Sequence, residues 1–361
     1  MVKSVNNTLV GLRGLLALSV VIYHIYVSGV IEGYIYEAPK GSVLNFINYA
    51  GPISVNLFFV ISGYLITQSL LSKSTVREFA INRLLRIYPV FLSIHLIIFT
   101  VGPFIGYKWM DGIGIGAYLI HFISNALLLP GMFQLPIAQI VAWSLSFEMF
   151  FYLISGLIWF IYKSPKVHKI GKYIFSVLMI ILCIVIMYYR RDTLFFVVGV
   201  TLYFSQDKIK STWKPGKAFY FDGIILLAAI YLAYHTLKNP IVVALVLSFL
   251  LFVPIIIEYG MLSLFLRARF MRYLGKISFS LYMWHTMMMF PLKIVIPKIN
   301  SLIGSSSFSF AMYAILSLIL SIVVSHFSYQ CIEVRFTHYL KKRWTRRKPN
   351  VSVPSLNPSN F

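Results

Sequence analysis

Residues 9–30 read LVGLRGLLALSVVIYHIYVSGV, and this stretch decides what kind of protein the chain is. At 1.5 Å per residue it is long enough to cross the roughly 30 Å of hydrocarbon in a bilayer. It carries Arg13 and His24 and has no small-residue cleavage site, so it reads as a retained first helix and not as a removable signal peptide. Working outward, further apolar runs lie at about 52–71, 88–106, 143–162, 173–189, 193–205, 219–236, 240–258, 279–297 and 309–330, which with the first makes ten candidate spans. The sixth, 193–205, falls below the usual spanning length and is expected to be tilted, extended into Arg191 and Asp192, or re-entrant. Composition agrees: 59% of the 361 residues are hydrophobic and 12% charged, against roughly 25% charged in a soluble domain. A soluble enzyme is excluded. The expected fold is an all-α, polytopic integral membrane bundle of about ten transmembrane helices.

The formal charge of +22, from 32 Lys+Arg against 10 Asp+Glu, would point to nucleic acid in a soluble chain. Here its distribution gives topology. With both termini cytoplasmic, segments 1–8, 72–87, 163–172, 206–218, 259–278 and 331–361 hold 24 of the 32 Lys/Arg, as the positive-inside rule requires. The opposite side receives Lys40, Lys108, Arg190, Arg191, Lys238 and Lys298, and only Arg13 and Lys293 lie inside spans. Removing the short sixth span would put several basic loops on the wrong side. No nucleic-acid partner is expected. Cys183 lies in a span and Cys331 at a helix end, which gives no basis for a structural disulfide, and no Cys/His spacing of a metal site is present. Residues 1–335 form the expected transmembrane domain, and 336–361 a basic, disordered cytoplasmic tail.

Ionisable groups at membrane depth each need a partner, a cavity or a chemical role. Arg13 and His24 are eleven residues apart, so they share one stripe of the first helix about 16 Å apart along its axis. Glu148, in WSLSFE, lies roughly 8 Å in from the non-cytoplasmic face by the same rise, at a depth matching that of His24. A carboxylate beside an imidazole would fix its tautomer and raise its basicity, as a general base requires. The structural alternatives are a packed histidine, an arginine snorkelling to headgroups and an ordinary buried ion pair. In KSTVREFAINRLLRIYP, Thr75 or Ser74 caps a short cytoplasmic helix and Pro89 resets the chain for the next span. Arg83 and Arg86 share a face at i,i+3, with bidentate geometry suited to a phosphate-bearing ligand. The alternative is an amphipathic helix lying on anionic lipid. Ser62 and Gly63 fall mid-span, where a helix or ligand can approach closely. Ser278, Tyr282 and His285 share one face of the ninth span, as cavity lining or as packing. Glu333, among Lys and Arg, reads as a surface ion pair.

Taken together these segments resemble the acyltransferase-3 family of bacterial integral membrane acyltransferases, in its stand-alone form. The resemblance rests on Arg13-Gly14 followed by His24, on NLFFVISGYLI at 56–66, Arg83-Leu-Leu-Arg86 with Ile87-Tyr88-Pro89, WSLSFEMFFYL at 143–153, LGKISFSLYMWH at 274–285, and Ile332-Glu333. The chain departs from the family pattern at Asn56, often acidic in relatives, at Met149, where a second Glu is common, and at Val334-Arg335, where Arg-Pro is usual. The resemblance implies O-acylation, most often O-acetylation, of a cell-envelope carbohydrate or lipid-linked glycan such as lipopolysaccharide O-antigen, capsule or exopolysaccharide. Its setting is the bacterial inner (cytoplasmic) membrane, with cytoplasmic acetyl-CoA as donor and no metal. By the same resemblance Arg13 and His24 match an essential pair, and Arg83 and Arg86 the cytoplasmic Arg-x-x-Arg. The expected catalytic residues are therefore His24, Glu148 and Arg13, the donor-binding residues Arg83, Arg86 and Arg13, and the cavity residues Ser62, Tyr282 and His285. His24 acts either as a general base or as a transient acyl carrier. A transporter or flippase of an envelope precursor or small anion is the rival reading, since intramembrane Arg, His and Glu are normal there too.

Overall fold

The computed structural model describes residues 6–72, 75–303 and 305–345, and among them there is no strand. The helices in chain order are α1 (Asn7–Ile31), α2 (Ile47–Leu71), α3 (Val76–Val101), α4 (Ile115–Ala126), α5 (Ala142–Lys163), α6 (Lys169–Tyr189), α7 (Leu194–Thr212), α8 (Asp222–Thr236), α9 (Ile241–Ile256), α10 (Gly260–Leu266), α11 (Arg269–Lys276), α12 (Ser278–Ile303), α13 (Ser306–Ser328) and α14 (Thr337–Thr345). A π-helical stretch, Tyr329–Phe336, joins the last two. Among the described residues eight helical stretches are long and apolar enough to cross a membrane, and the pair α9–α10, bent by 68°, makes a ninth. The protein is a polytopic helical membrane bundle. Each of the ten sequence spans falls on a helix, but the sixth differs from expectation. Arg191–Thr193 forms a separate 3-10 turn, and α7 lengthens in the other direction, through Gln206, Asp207, Lys208 and Lys210 to Thr212. Of the expected tail, Thr337–Thr345 is helical; residues 346–361 lie outside the described residues, as does Ser74.

The described residues divide into two compact units, one formed by those within 6–64 and 194–329, the other by those within 65–193 and 330–345. In the first, Asn6 starts α1: its Oδ1 accepts from Leu9 N at 2.9 Å, satisfying one of the free amides of the first turn. Its Nδ2 donates to the carbonyls of Ile255 and Ile256, at the broken end of α9. Helix α1 packs against α10, α11, α12 and α13 over a core that includes Ala17, Val21, Leu274, Leu281 and Tyr313. Three contacts fix how α1 meets the segment that runs into α12: Gly14 against Gly275, His24 against His285, and Glu32 against Lys293. Each pair is 261 positions apart in sequence, so the two run parallel, side by side. The approach is close because a Cβ at Gly11, Gly14 or Gly275 would run into backbone of the facing segment.

A second close crossing joins α2 to α7. A Cβ on Gly63 would strike the Phe196 carbonyl, and one on Gly199 the Val60 carbonyl. Here packing, and not ligand approach, is what Gly63 serves. Beside it the Tyr64 hydroxyl donates to Gln206 Oε1 at 2.6 Å, both side chains buried. That bond satisfies Gln206 where α7 is still packed; in the polar turns beyond it Asp207, Lys208, Lys210, Ser211 and Thr212 are exposed.

In the second unit Thr75 and Glu78 form a reciprocal capping box at the start of α3. The helix does not restart at Pro89, as the sequence led one to expect; it runs unbroken from Val76 to Val101. Proline removes one amide and so frees the carbonyl of Leu85. Thr337 Oγ1 lies 3.4 Å from that carbonyl and 3.0 Å from the Ile332 carbonyl, so its single hydrogen is shared between the two, a hydroxyl partly re-satisfying backbone in the way transmembrane helices tolerate proline. Helices α3 and α5 run antiparallel, with Phe79 facing Gly156 and Tyr152, and Arg83 facing Tyr152. Counting along this register sets Trp143 level with Leu92, roughly 20 Å short of Ile105 at 1.5 Å per residue. Helix α5 therefore does not begin at the level where the span of α3 ends. The residues before it pack into the unit, with Leu128, Ala138, Gln139 and Val141 buried. Their carbonyls are taken by Lys108 Nζ (Ala138 O, 2.9 Å), Trp109 Nε1 (Ile137 O, 3.4 Å) and Asn125 Nδ2 (Pro136 O, 3.0 Å). Irregular backbone at membrane depth is stable only when satisfied in this way.

Candidate functional site

Two groups of polar side chains stand out, one in each unit. In the first unit α1 presents His24 and α12 presents His285. His285 Nδ1 lies 3.1 Å from the Leu281 carbonyl, and His285 Nε2 lies 3.3 Å from His24 Nδ1. His24 Nδ1 also lies 2.9 Å from the Val20 carbonyl. The ring centroids are 4.9 Å apart. His285 is fully buried and His24 half-buried, so only His24 has an edge available to a substrate. Tyr23 stacks edge-on against His24 at 5.0 Å, and Tyr282, packed on Phe58, lies 6.2 Å from His285.

His285 is turned toward α1 by the other side of α12. There Ser280 Oγ and Trp284 Nε1 both donate to Ser328 Oγ of α13, at 3.0 and 2.9 Å. Ser278, Tyr282 and His285 are all buried. Arg13 is half-buried on α1 between Gly11 and Gly14, and Ser62 half-buried on α2 beside Gly63.

In the second unit Arg83 and Arg86 stand within electrostatic reach of Glu148 and Tyr152, and Arg86 also of Glu333. Tyr152 donates its hydroxyl to Glu148. The Arg83 guanidinium lies over the Phe79 ring at 5.5 Å and the Tyr152 ring at 5.3 Å. Arg83 has a side-chain hydrogen bond with Tyr152 and a long one, 3.5 Å, to the Leu65 carbonyl, and its buried Nε has no partner among the described residues. Arg83 is 9% exposed whereas Leu84 is 41% exposed. The face is inside out relative to a helix lying on anionic lipid, so that alternative falls away. Glu333 is a half-buried member of this group and not a surface ion pair.

Several sequence expectations meet here. The structure joins His24 to His285, and joins Arg83, Arg86 and Glu148. Glu148 and His24 belong to different units, and within its own unit each has another neighbour, Tyr152 for one and His285 for the other. Depth counted from the apolar ends misplaced Glu148: it put that residue near an outer face where α5 does not begin. The register with α1 sets His285 level with His24. Tyr152 was missed outright, although its i,i+4 spacing from Glu148 was a readable signal.

The first unit thus carries a half-buried histidine backed by a fully buried one, and the second, taken by itself, a buried arginine suited to an anion. Comparison with known proteins identifies the family. Residues 6–326 match the family described as an acyltransferase domain, and the chain belongs to that family, the acyltransferase-3 family. It is a multi-pass membrane O-acyltransferase that transfers groups other than amino-acyl groups. Similar proteins include ORF330 of Acidianus two-tailed virus, named as an acetyltransferase, 23% identical over 302 residues covering 80% of this chain and 84% of that one. Acyltransferase MdmB of Streptomyces mycarofaciens is 27% identical over 183 residues, covering 49% of this chain and 45% of that one. An uncharacterized protein of Haemophilus influenzae is 28% identical over 205 residues, covering 52% and 77%. No solved structure matches the chain.

Proposed function

We propose that this protein transfers an acetyl group from acetyl-CoA to a hydroxyl of a cell-envelope carbohydrate or lipid-linked glycan, at the bacterial inner membrane. The observation that carries the proposal is the histidine pair, in which one imidazole is held by another and keeps an edge free. His24 is the group that takes the acceptor's proton as its oxygen attacks the thioester carbon. Acetyl as the group is supported by the name of one relative; the carbohydrate acceptor rests on the family resemblance.

The donor's phosphates are assigned to Arg83 and Arg86. Burying a cation with an unused N–H is costly, and an anion that supplies the missing acceptor relieves the cost. A guanidinium is suited to this because its planar fork meets phosphate oxygens two at a time. Glu148 then balances the arginine pair when no donor is bound.

Mass spectrometry of envelope glycans from cells with and without the gene tests the reading. An acetyl ester present with the wild-type gene and absent with His24→Gln supports it. Unchanged ester content in the deletion strain, or full acetylation by His24→Gln, would overturn it.

A further inference from the structure

His285 was expected to line a cavity, but it is 0% exposed and so acts on a substrate only through a neighbour. That neighbour is His24, and the atoms between them admit one arrangement of protons. In a neutral imidazole one nitrogen carries hydrogen and the other a lone pair, and the choice follows from what each nitrogen faces. His285 Nδ1 faces the Leu281 carbonyl at 3.1 Å, which has only lone pairs, so Nδ1 carries the hydrogen and Nε2 is bare. His24 Nδ1 faces that bare Nε2 at 3.3 Å and the Val20 carbonyl at 2.9 Å. Two acceptors converge on it, so it too carries hydrogen. The reverse assignment would set lone pair against lone pair at both carbonyls. His24 Nε2 is thereby left bare, on the ring edge away from His285.

Resting on the function proposed above, we infer that His285 is the positioning residue of the reaction: together with the Val20 carbonyl it holds His24 in the Nδ1–H tautomer, fixes the ring, and makes Nε2 the reacting nitrogen. The acceptor hydroxyl gives its proton to His24 Nε2 while its oxygen bonds to the acyl carbon. The carbon–sulfur bond breaks with its electron pair going to the thiolate, and the proton then passes from Nε2 to that sulfur. While His24 is an imidazolium, its Nδ1–H remains bonded to His285 Nε2 and the Val20 carbonyl. The chain Leu281 carbonyl, His285, His24 repeats the logic of a base oriented by a third group, with a neutral imidazole where an acidic triad has a carboxylate.

The test uses the full-length protein in lipid nanodiscs with nitrogen-15 histidine, His24 being assigned from the signals lost in His24→Gln. The expected spectrum shows His24 protonated on Nδ1 and bare on Nε2. His285→Phe leaves the Val20 carbonyl as the one acceptor for His24 Nδ1–H; it should admit a fraction of the other tautomer and lower kcat by about 10- to 100-fold, a part of what a positioned base contributes, with donor and acceptor KM unchanged. His285→Gln, whose carboxamide oxygen can accept from Nδ1–H, should recover part of the loss and serves if the phenylalanine variant does not fold. His24 protonated on Nε2 in the wild type would overturn the inference. So would unaltered kcat and tautomer in both His285 variants. Full activity in His24→Gln would instead sink the general-base reading on which it rests.

Discussion

At the scale of single residues, the chain shows how much a side chain's meaning depends on what faces it. Arg83 and Arg86 were readable as a pair from i,i+3 spacing, and the inward turn of Arg83 against the outward turn of Leu84 agrees with that pattern. Phe79, at i,i+4 from Arg83 on α3, was readable by spacing; Tyr152, the other ring beside Arg83, was not, because it arrives from α5. Arg83→Lys tests the role assigned to the fork. It keeps the charge but not the planar, two-point geometry, and a hydrogen bond to a charged group contributes about 1.5–3 kcal/mol. The expected outcome is a rise in KM for acetyl-CoA of about tenfold or more, with KM for the acceptor unchanged, measured by steady-state kinetics in nanodiscs. Equal weakening of both substrates would show instead a general loss of structure. His24 was legible as an intramembrane histidine, yet its partner was not, since tautomers follow from neighbours and not from residue type.

At the scale of elements, α3 and α7 depart furthest from their apolar patterns, and in both a side chain from another element compensates. In α7 the buried amide of Gln206 is met by the Tyr64 hydroxyl. In α3 the carbonyl released by Pro89 is met by Thr337. A double-mutant cycle isolates that second effect. Thr337→Val should destabilise the protein by about 1–3 kcal/mol, because it takes a hydroxyl from the Leu85 and Ile332 carbonyls together. In a Pro89→Ala background the restored amide at position 89 bonds the Leu85 carbonyl within the helix, and the same change should then cost less, the Ile332 share alone remaining. Thermal or denaturant unfolding in detergent measures both; equal costs in the two backgrounds would refute the explanation. A window of hydropathy sees Pro89 only as a break, because the hydroxyl that repairs it lies far along the chain.

At the scale of the whole molecule, the parallel run of α1 and α12 bears on the number of crossings. Parallel spans are separated by an even number of steps through the membrane. Counting the eight stretches and the bent pair makes α12 the eighth crossing and would set it antiparallel to α1; counting α7 as well makes it the ninth. The direction is also preserved if neither α7 nor the bent pair crosses, but the four lysines of 206–218 would then lie outside, against the positive-inside rule. Ten crossings satisfy both constraints. Reporter fusions after Pro215 should therefore read cytoplasmic and those after Lys238 the opposite side, and a cytoplasmic signal at both would rule out the ten-span frame.

What the sequence determined by itself was the solvent and the kind of fold. Long apolar runs leave backbone amides no alternative to helix in lipid, and the bias of lysine and arginine orients them. Its motifs, read by resemblance, also reached the family. What only the tertiary structure decided was partnership: His24 with His285, Glu148 with Tyr152, Thr337 with the carbonyl freed by Pro89. Hydropathy places a residue along one helix axis, whereas partners depend on register between helices and on where each begins. Here those starts do not share a plane, because the segment leading into α12 already runs alongside α1 and the backbone before α5 packs within its unit.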